Sequence, residues 1–270
     1  MVSCRGEISM ALIEAKNLWK EYGSNVVLEQ VNTRVEKGEF ITIVGTSGCG
    51  KTTFLRMLLG IEQPTRGELL LEGKPFPDEP GDERGIVFQK YSVFPHLSVL
   101  KNTMLASEFE QAPIIGKLFG SKRKLAEADA REMLASVGLE HAMDKYPHEL
   151  SGGMQQRLAI AQALMKKPKI LLLDEPFGAL DPGIRGDMHK LIQDLWKKTG
   201  ITIFMITHDL TEGFYLGTRL WVFDKIRLDA QKANAYGACI TYDIPVGQID
   251  NTIYEDIDYS LDQSRKVLLD

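Results

Sequence analysis

Residues 11–22 and 26–35 alternate apolar and polar positions in short runs, the period of half-buried strands. The run Phe40-Ile41-Thr42-Ile43-Val44 is continuous and rich in β-branched residues, as a strand buried on both faces requires. It leads straight into Gly45-Thr46-Ser47-Gly48-Cys49-Gly50-Lys51-Thr52-Thr53, after which residues 54–59 read as helix. A turn at Gln63-Pro64-Thr65-Arg66-Gly67 precedes a strand over 68–71, and 85–89 is another short strand. From 91 to about 164 the texture changes: 122–137 and 152–164 carry helical periodicity, so the whole stretch reads as a mostly helical insert. Strand character returns at 169–174. Residues 182–198 form a helix with Pro182 in its favoured first turn. Strands follow at 201–207 and 220–223. Alternating strands and helices with buried apolar runs predict an α/β fold built on a mainly parallel sheet covered by helices.

Residues 226–270 read as a C-terminal extension. Its second half is acidic, with Asp243, Asp250, Glu255, Asp256, Asp258 and Asp262. A solvated add-on and a partner-binding segment both fit that pattern.

Composition narrows the class. The chain has 270 residues, 44% of them hydrophobic, enough for a substantial core. A net charge of −5 argues against a nucleic-acid binder, which carries a basic face. Cys4, Cys49 and Cys239 form neither a zinc spacing nor a disulfide framework, and a reducing cytoplasm suits them. The five histidines (His96, His141, His148, His189 and His208) show no metal-ligand spacing, so no resident transition metal is expected. The opening MVSCRGEISM has no apolar core of a signal peptide. No run approaches the roughly 18 apolar residues of a membrane span, so any membrane contact would go through a partner.

Residues 45–52 fit G-x-x-x-x-G-K-[ST] between a strand and a helix. Glycines let the backbone curl around phosphates with no Cβ in the way. The curled N–H groups then form an anion nest at a helix N-terminus. Lys51 would reach the β and γ phosphates, and the Thr52 hydroxyl would ligate Mg²⁺. Cys49 reads as a small filler in this loop. The strand ending Leu173-Asp174-Glu175 supplies two carboxylates. Asp174 would reach the Mg²⁺ and Glu175 would polarise the attacking water, since phosphoryl transfer rests on positioning and charge stabilisation.

Between these motifs stands Leu150-Ser151-Gly152-Gly153-Met154-Gln155-Gln156-Arg157. It resembles the signature of ATP-binding cassette (ABC) ATPases. Physically, Ser151, Gly152 and Gly153 open a helix and make a second anion-binding N-terminus. One triphosphate needs only one such cradle; two suit an ATP clasped between subunits. The resemblance implies a P-loop NTPase (RecA-like) core sheet with an N-terminal antiparallel β part and a helical insert at about 91–164, within an ATPase domain over 10–225. It implies ATP and Mg²⁺ as ligands and a head-to-tail dimer of two copies, each signature facing the other copy's loop. It implies that Tyr22 stacks on adenine and that Gln89 senses Mg²⁺ and the attacking water. Asp181 would lie in a loop crossing between copies, and His208 would contact the γ-phosphate. The cofactor-binding set is then Tyr22, Gly45, Thr46, Ser47, Gly48, Cys49, Gly50, Lys51, Thr52, Thr53, Ser151, Gly152, Gly153 and Asp181. Glu175, His208 and Gln89 form the catalytic set, and Thr52, Gln89 and Asp174 the metal set.

Many relatives carry Gln where this chain has Met154, and a thioether cannot donate to ribose or phosphate. Gln155 or Gln156 could substitute. Met154, Phe94-Pro95-His96-Leu97 and Pro176-Phe177-Gly178-Ala179-Leu180-Asp181 resemble the importer group for nitrate, sulfonate and taurine. That implies separate permease subunits gripped by the insert near residues 91–99, a substrate-binding protein, and a place on the cytoplasmic face of the inner membrane. A non-transport ABC ATPase of DNA repair or translation is the alternative, although residues 89–150 are too few for the coiled coils of repair members and only one phosphate loop is present. A kinase or G-protein would share the loop but not residues 150–157.

Overall fold

Strands β1 (Ile13–Tyr22) and β2 (Asn25–Val35) form an antiparallel hairpin, with Tyr22 opposite Asn25. The two-residue connection needs a left-handed residue, and Gly23 supplies it at φ 60°. A computed structural model describes residues 10–88, 92–111, 120–227, 235–246 and 257. The chain divides into two units: Met1–Pro80 with His208–Asp270, and Gly81–Thr207.

In the first unit β4 (Arg66–Leu71) pairs antiparallel with β1, and β5 (Lys74–Pro75) with β4, giving the order β2-β1-β4-β5. This is the antiparallel part that the resemblance implied. Ile13, Ala15, Leu18, Leu28, Val31 and Val35 are buried, as the alternating pattern requires. Strand β3 (Phe40–Gly45) is buried at every position. It runs parallel to β9 (Arg219–Asp224), and β10 (Cys239–Pro245) runs antiparallel to β9. Helix α1 (Lys51–Leu59) inserts Phe54 against Trp221 and Phe223, with ring centroids 6.0 and 5.6 Å apart. Helix α6 (Leu210–Leu216) packs Leu210 with Val44, Leu220, Val222 and Ile257. Neither α6 nor β10 was legible in the hydrophobic pattern. Most of the acidic half of 226–270, Asp250 to Asp262, lies outside the described residues; Asp243 lies on β10.

The segment before β10 also secures β2. Glu29 N–H donates to the Ala238 carbonyl, and Ala238 N–H to Val27, each at 2.9 Å. The buried Glu29 carboxylate accepts the Gly237 N–H at 3.1 Å and pairs with Arg227.

In the second unit β6 (Arg84–Val87), β7 (Ile170–Asp174) and β8 (Thr202–Ile206) are parallel, with β7 central. Among the described residues, the α-helices α2 (Val99–Gln111), α3 (Gly120–Ser136), α4 (Gly152–Leu164) and α5 (Pro182–Thr199) accompany them. Met104, Ala126 and Ala130 bring α2 and α3 together, with Leu100 and Met165 beside them. Helix α5 buries Met188, Leu191, Ile192 and Leu195, one stripe at helical spacing, and ends on left-handed Gly200.

Candidate functional site

The loop between β3 and α1 is shaped by three glycines with positive φ: Gly45 (155°), Gly48 (78°) and Gly50 (89°). Two of them also lack room. A Cβ on Gly45 would lie 2.3 Å from the Phe223 carbonyl oxygen. One on Gly50 would lie 2.7 Å from Cδ2 of Leu28. Gly48 meets nothing within 4 Å, so its side is open. Gly50 caps α1 without a side chain, and no acidic residue stands in the first turn. The opening N–H groups and the positive end of the helix dipole therefore meet no built-in anion there.

Lys51 is buried, and its Nζ donates to the carbonyls of Gly45 (2.9 Å) and Thr46 (2.8 Å). The ammonium thus sits inside the loop. Ser47 and Thr52 are exposed, Thr53 is half-buried and Thr46 is buried. Cys49 is buried, and burial pushes its thiol pKa up despite the nearby Lys51. This fits the packing role read from the sequence rather than a reactive thiolate.

In the same unit Tyr22 ends β1 with its phenol 47% exposed. Its hydroxyl is donated to Glu62 and lies against the Thr53 side chain. Burial of the phenol, then the bond to Glu62 and that carboxylate's charge, push the Tyr22 pKa up to about 12. His208 is exposed, directly before Asp209, whose carboxylate caps α6 by accepting the Glu212 N–H at 3.1 Å.

The second unit holds the remaining candidates. Ser151 is the N-cap of α4: its Oγ accepts the Met154 N–H at 3.3 Å. A hydroxyl that accepts a bond keeps its own proton to donate. Ser151 and Gly152 are exposed, whereas Gly153 is buried against α5. Asp174 ends β7 and Glu175 follows it directly, both half-buried. Glu175 has φ 49°, a left-handed conformation uncommon for a residue with a side chain. Its N–H donates to the Ile206 carbonyl at 3.1 Å, which helps hold that backbone in place. Asp181 is exposed at the N-cap of α5, before Pro182. Gln89 lies outside the described residues.

A strand–glycine loop–helix cradle and a serine-capped helix opened by Ser-Gly-Gly thus stand on one chain. The family model described as ABC transporter matches residues 28–178.

The chain belongs to the ABC transporter family.

The spermidine/putrescine import ATP-binding protein of Chromobacterium violaceum is 44% identical over 215 residues, 79% of this chain and 57% of the relative. The nitrate import ATP-binding protein of a Synechocystis species is 42% identical over 198 residues, 73% of this chain and 28% of the relative. The chain therefore spans little more than half of the first relative and about a quarter of the second. A solved dimeric ATP-binding cassette in a post-hydrolysis state, bound to ADP and Pi, is similar with a TM-score of 0.68. It is 28% identical, over 87% of this chain and 98% of its own. The P-loop NTPase cassette expected from the sequence is the observed fold. No helix among the described residues is long and apolar enough to cross a membrane.

Around the signature of this ABC chain, the structure assigns side chains that sequence spacing left open. Neither glutamine takes the place of a donor at Met154. Gln156 is fully buried, and Gln155 donates to the carbonyls of Pro147 (2.9 Å) and Leu150 (3.3 Å). Arg157 donates to the Val137 carbonyl at 2.8 Å, tying α4 to the end of α3. Asn102, unremarked in the sequence, is buried on α2 and organises the turn that contains Phe94-Pro95-His96-Leu97. An Asn three residues after the start of a helix carries no local signal for that role.

Proposed function

We propose that the chain is the ATP-binding and ATP-hydrolysing subunit of an ABC importer, working as a pair of copies that drives small-solute uptake through separate permease subunits. The observation that carries this reading is the presence on one chain of two helices, α1 and α4, whose first turns hold no acidic residue and whose openings are glycine-built. Each suits an anion. Two half-sites suit an ATP enclosed by two copies.

In this reading the N–H groups of residues 45–53 and the Lys51 ammonium hold the triphosphate, and Tyr22 stacks on the adenine. Ser151, Gly152 and Gly153 cap the γ-phosphate held by the other copy. Thr52, Asp174 and Gln89 offer the hard oxygen donors that Mg²⁺ takes, and the ion would neutralise phosphate charge. Glu175 orients and polarises the attacking water, His208 contacts the γ-phosphate, and Asp181 lies at the crossing between copies. Most of the catalytic effect is then positioning and charge.

The cargo we propose is of the nitrate, sulfonate or taurine kind. Met154, residues 94–97 and residues 176–181 support this, and the nitrate relative is consistent with it. A substrate-binding protein would deliver that cargo outside, and this chain would sit on the cytoplasmic face, held by the permease. Phe94, 42% exposed, would contribute to that grip.

The test is Glu175→Gln. The variant should bind ATP-Mg²⁺, hydrolyse it far more slowly than wild type and run as a dimer in size-exclusion chromatography. A monomer under saturating ATP-Mg²⁺ would refute the paired mechanism. Uptake of labelled nitrate, taurine and an alkanesulfonate in cells with and without the gene reads the cargo.

A further inference from the structure

We infer that Glu62 is a positioning residue for the nucleotide base: it fixes the Tyr22 ring as a preset stacking platform and ties that platform to the helix carrying the phosphate loop. The inference rests on the proposed reading of Tyr22 as the adenine contact.

Helix α1 ends on left-handed Gly60, whose N–H bonds to Met57, while Ile61 N–H bonds to Arg56, each at 3.0 Å. This turn delivers Glu62 to the Tyr22 hydroxyl, which it accepts. The carboxylate has two further partners. Lys20 Nζ lies 3.4 Å from it and Arg56 Nη1, on α1, 3.5 Å. Its side chain is 14% exposed and that of Lys20 12%, so this pair is little screened, whereas Arg56 is 55% exposed and its pair is more open to solvent. Lys20 is itself anchored on the Gln63 carbonyl at 2.8 Å. Its ammonium stands 5.0 Å from the Tyr22 ring centroid.

The consequences are geometric. An exposed tyrosine rotates freely and would lose that freedom when a base stacks on it. Here the phenol is held at its hydroxyl by Glu62 and on one face by a cation, so the ordering cost is met before nucleotide arrives. Lys20 occupies one face, which leaves the opposite face for the base. The Tyr22–Glu62–Arg56 chain ends on α1, so base platform and phosphate cradle share one rigid support.

Four probes test this: ADP affinity by calorimetry, the KM and kcat of ATP hydrolysis, and competition by inorganic tripolyphosphate, which has no base. Tyr22→Ala should weaken ADP about tenfold or more, the scale of one base–aromatic stack. Tyr22→Phe keeps the ring and loses the hydroxyl; Glu62→Leu loses the acceptor. Each should raise the ADP Kd and the KM for ATP about threefold to tenfold, with kcat and tripolyphosphate inhibition unchanged. The double variant Tyr22→Phe/Glu62→Leu should be no worse than either single one, because both remove the same link. If Tyr22→Ala weakens ADP while Tyr22→Phe and Glu62→Leu bind like wild type, the positioning role is wrong and the base contact stands. If Tyr22→Ala itself binds ADP like wild type, the base contact fails and the positioning role with it. Equal loss of tripolyphosphate inhibition would show general damage to the loop and would also overturn the inference.

Discussion

Asn102 grips both backbone groups of Phe94: its Oδ1 accepts the Phe94 N–H at 2.8 Å and its Nδ2 donates to the Phe94 carbonyl at 3.0 Å. The same Nδ2 reaches the carbonyls of Leu97 (2.8 Å) and Ser98 (3.1 Å). One buried side chain thus substitutes for the secondary structure that the turn before α2 lacks. Asn102→Ala removes this partner from the Phe94 N–H and the Leu97 carbonyl, while the carbonyls of Phe94 and Ser98 keep the N–H groups of Leu97 and residue 102, and should cost about 2 kcal/mol in urea unfolding. It should also speed proteolysis near Phe94. A loss below about 0.5 kcal/mol would show that the turn holds itself.

The signature glycines do different work. A Cβ on Gly153 would stand 2.6 Å from Cγ2 of Ile184 on α5. Ile is stiff at χ1 in a helix and gives way poorly. Gly153→Ala should therefore lose about 1–3 kcal/mol despite the better helix propensity of Ala. Adding Ile184→Ala should restore part of it. A stable single variant would mean that α4 and α5 slide apart without penalty.

Gly237 faces mainly backbone, with the Cβ of Glu29 just beyond it at 3.0 Å. Its Cβ would come within 2.8 Å of the Leu28 carbonyl carbon and 2.9 Å of the Glu29 nitrogen. Gly237→Ala must push the segment off β2 and stretch the two bonds of Ala238 to Val27 and Glu29. We expect a loss of about 2 kcal/mol, read as a lower urea midpoint at an unchanged slope. An unchanged midpoint would show that this segment is dispensable for β2.

Acid should uncouple the Tyr22 support. Burial pulls the Glu62 pKa up, but the Tyr22 hydroxyl, Lys20 and Arg56 outweigh it and hold it below the ordinary 4.5. A depressed carboxylate contributes stability that is present above 4.5 and is lost as pH falls through its lowered folded value. Wild type should thus melt above Glu62→Gln at pH 7, and the gap should close on acidification below that range. A gap independent of pH would assign the difference to packing.

Strand β3, the glycine loop and the Asp-Glu end of β7 were legible because each is local: a buried β-run, a fixed glycine spacing and two adjacent carboxylates announce their chemistry within a few residues. Helix α6 was missed because its seven residues are too short for a helical period to emerge. Strand β10 was missed because only its pairing with β9 makes Cys239–Pro245 a strand, and the acidic residues downstream gave the segment the look of a tail.

Residue identity and spacing alone determined that this chain carries a G-x-x-x-x-G-K-[ST] loop, an acidic strand end and a segment resembling the ABC signature, since those motifs are written in consecutive residues. Only the folded chain decided that Gln156 is fully buried, that Glu175 turns through a left-handed backbone, and that Glu62 takes the hydroxyl of Tyr22. The reason is range. These outcomes depend on partners across helices and strands, 40 residues apart in the case of Tyr22 and Glu62, and packing rather than local sequence brings such partners together.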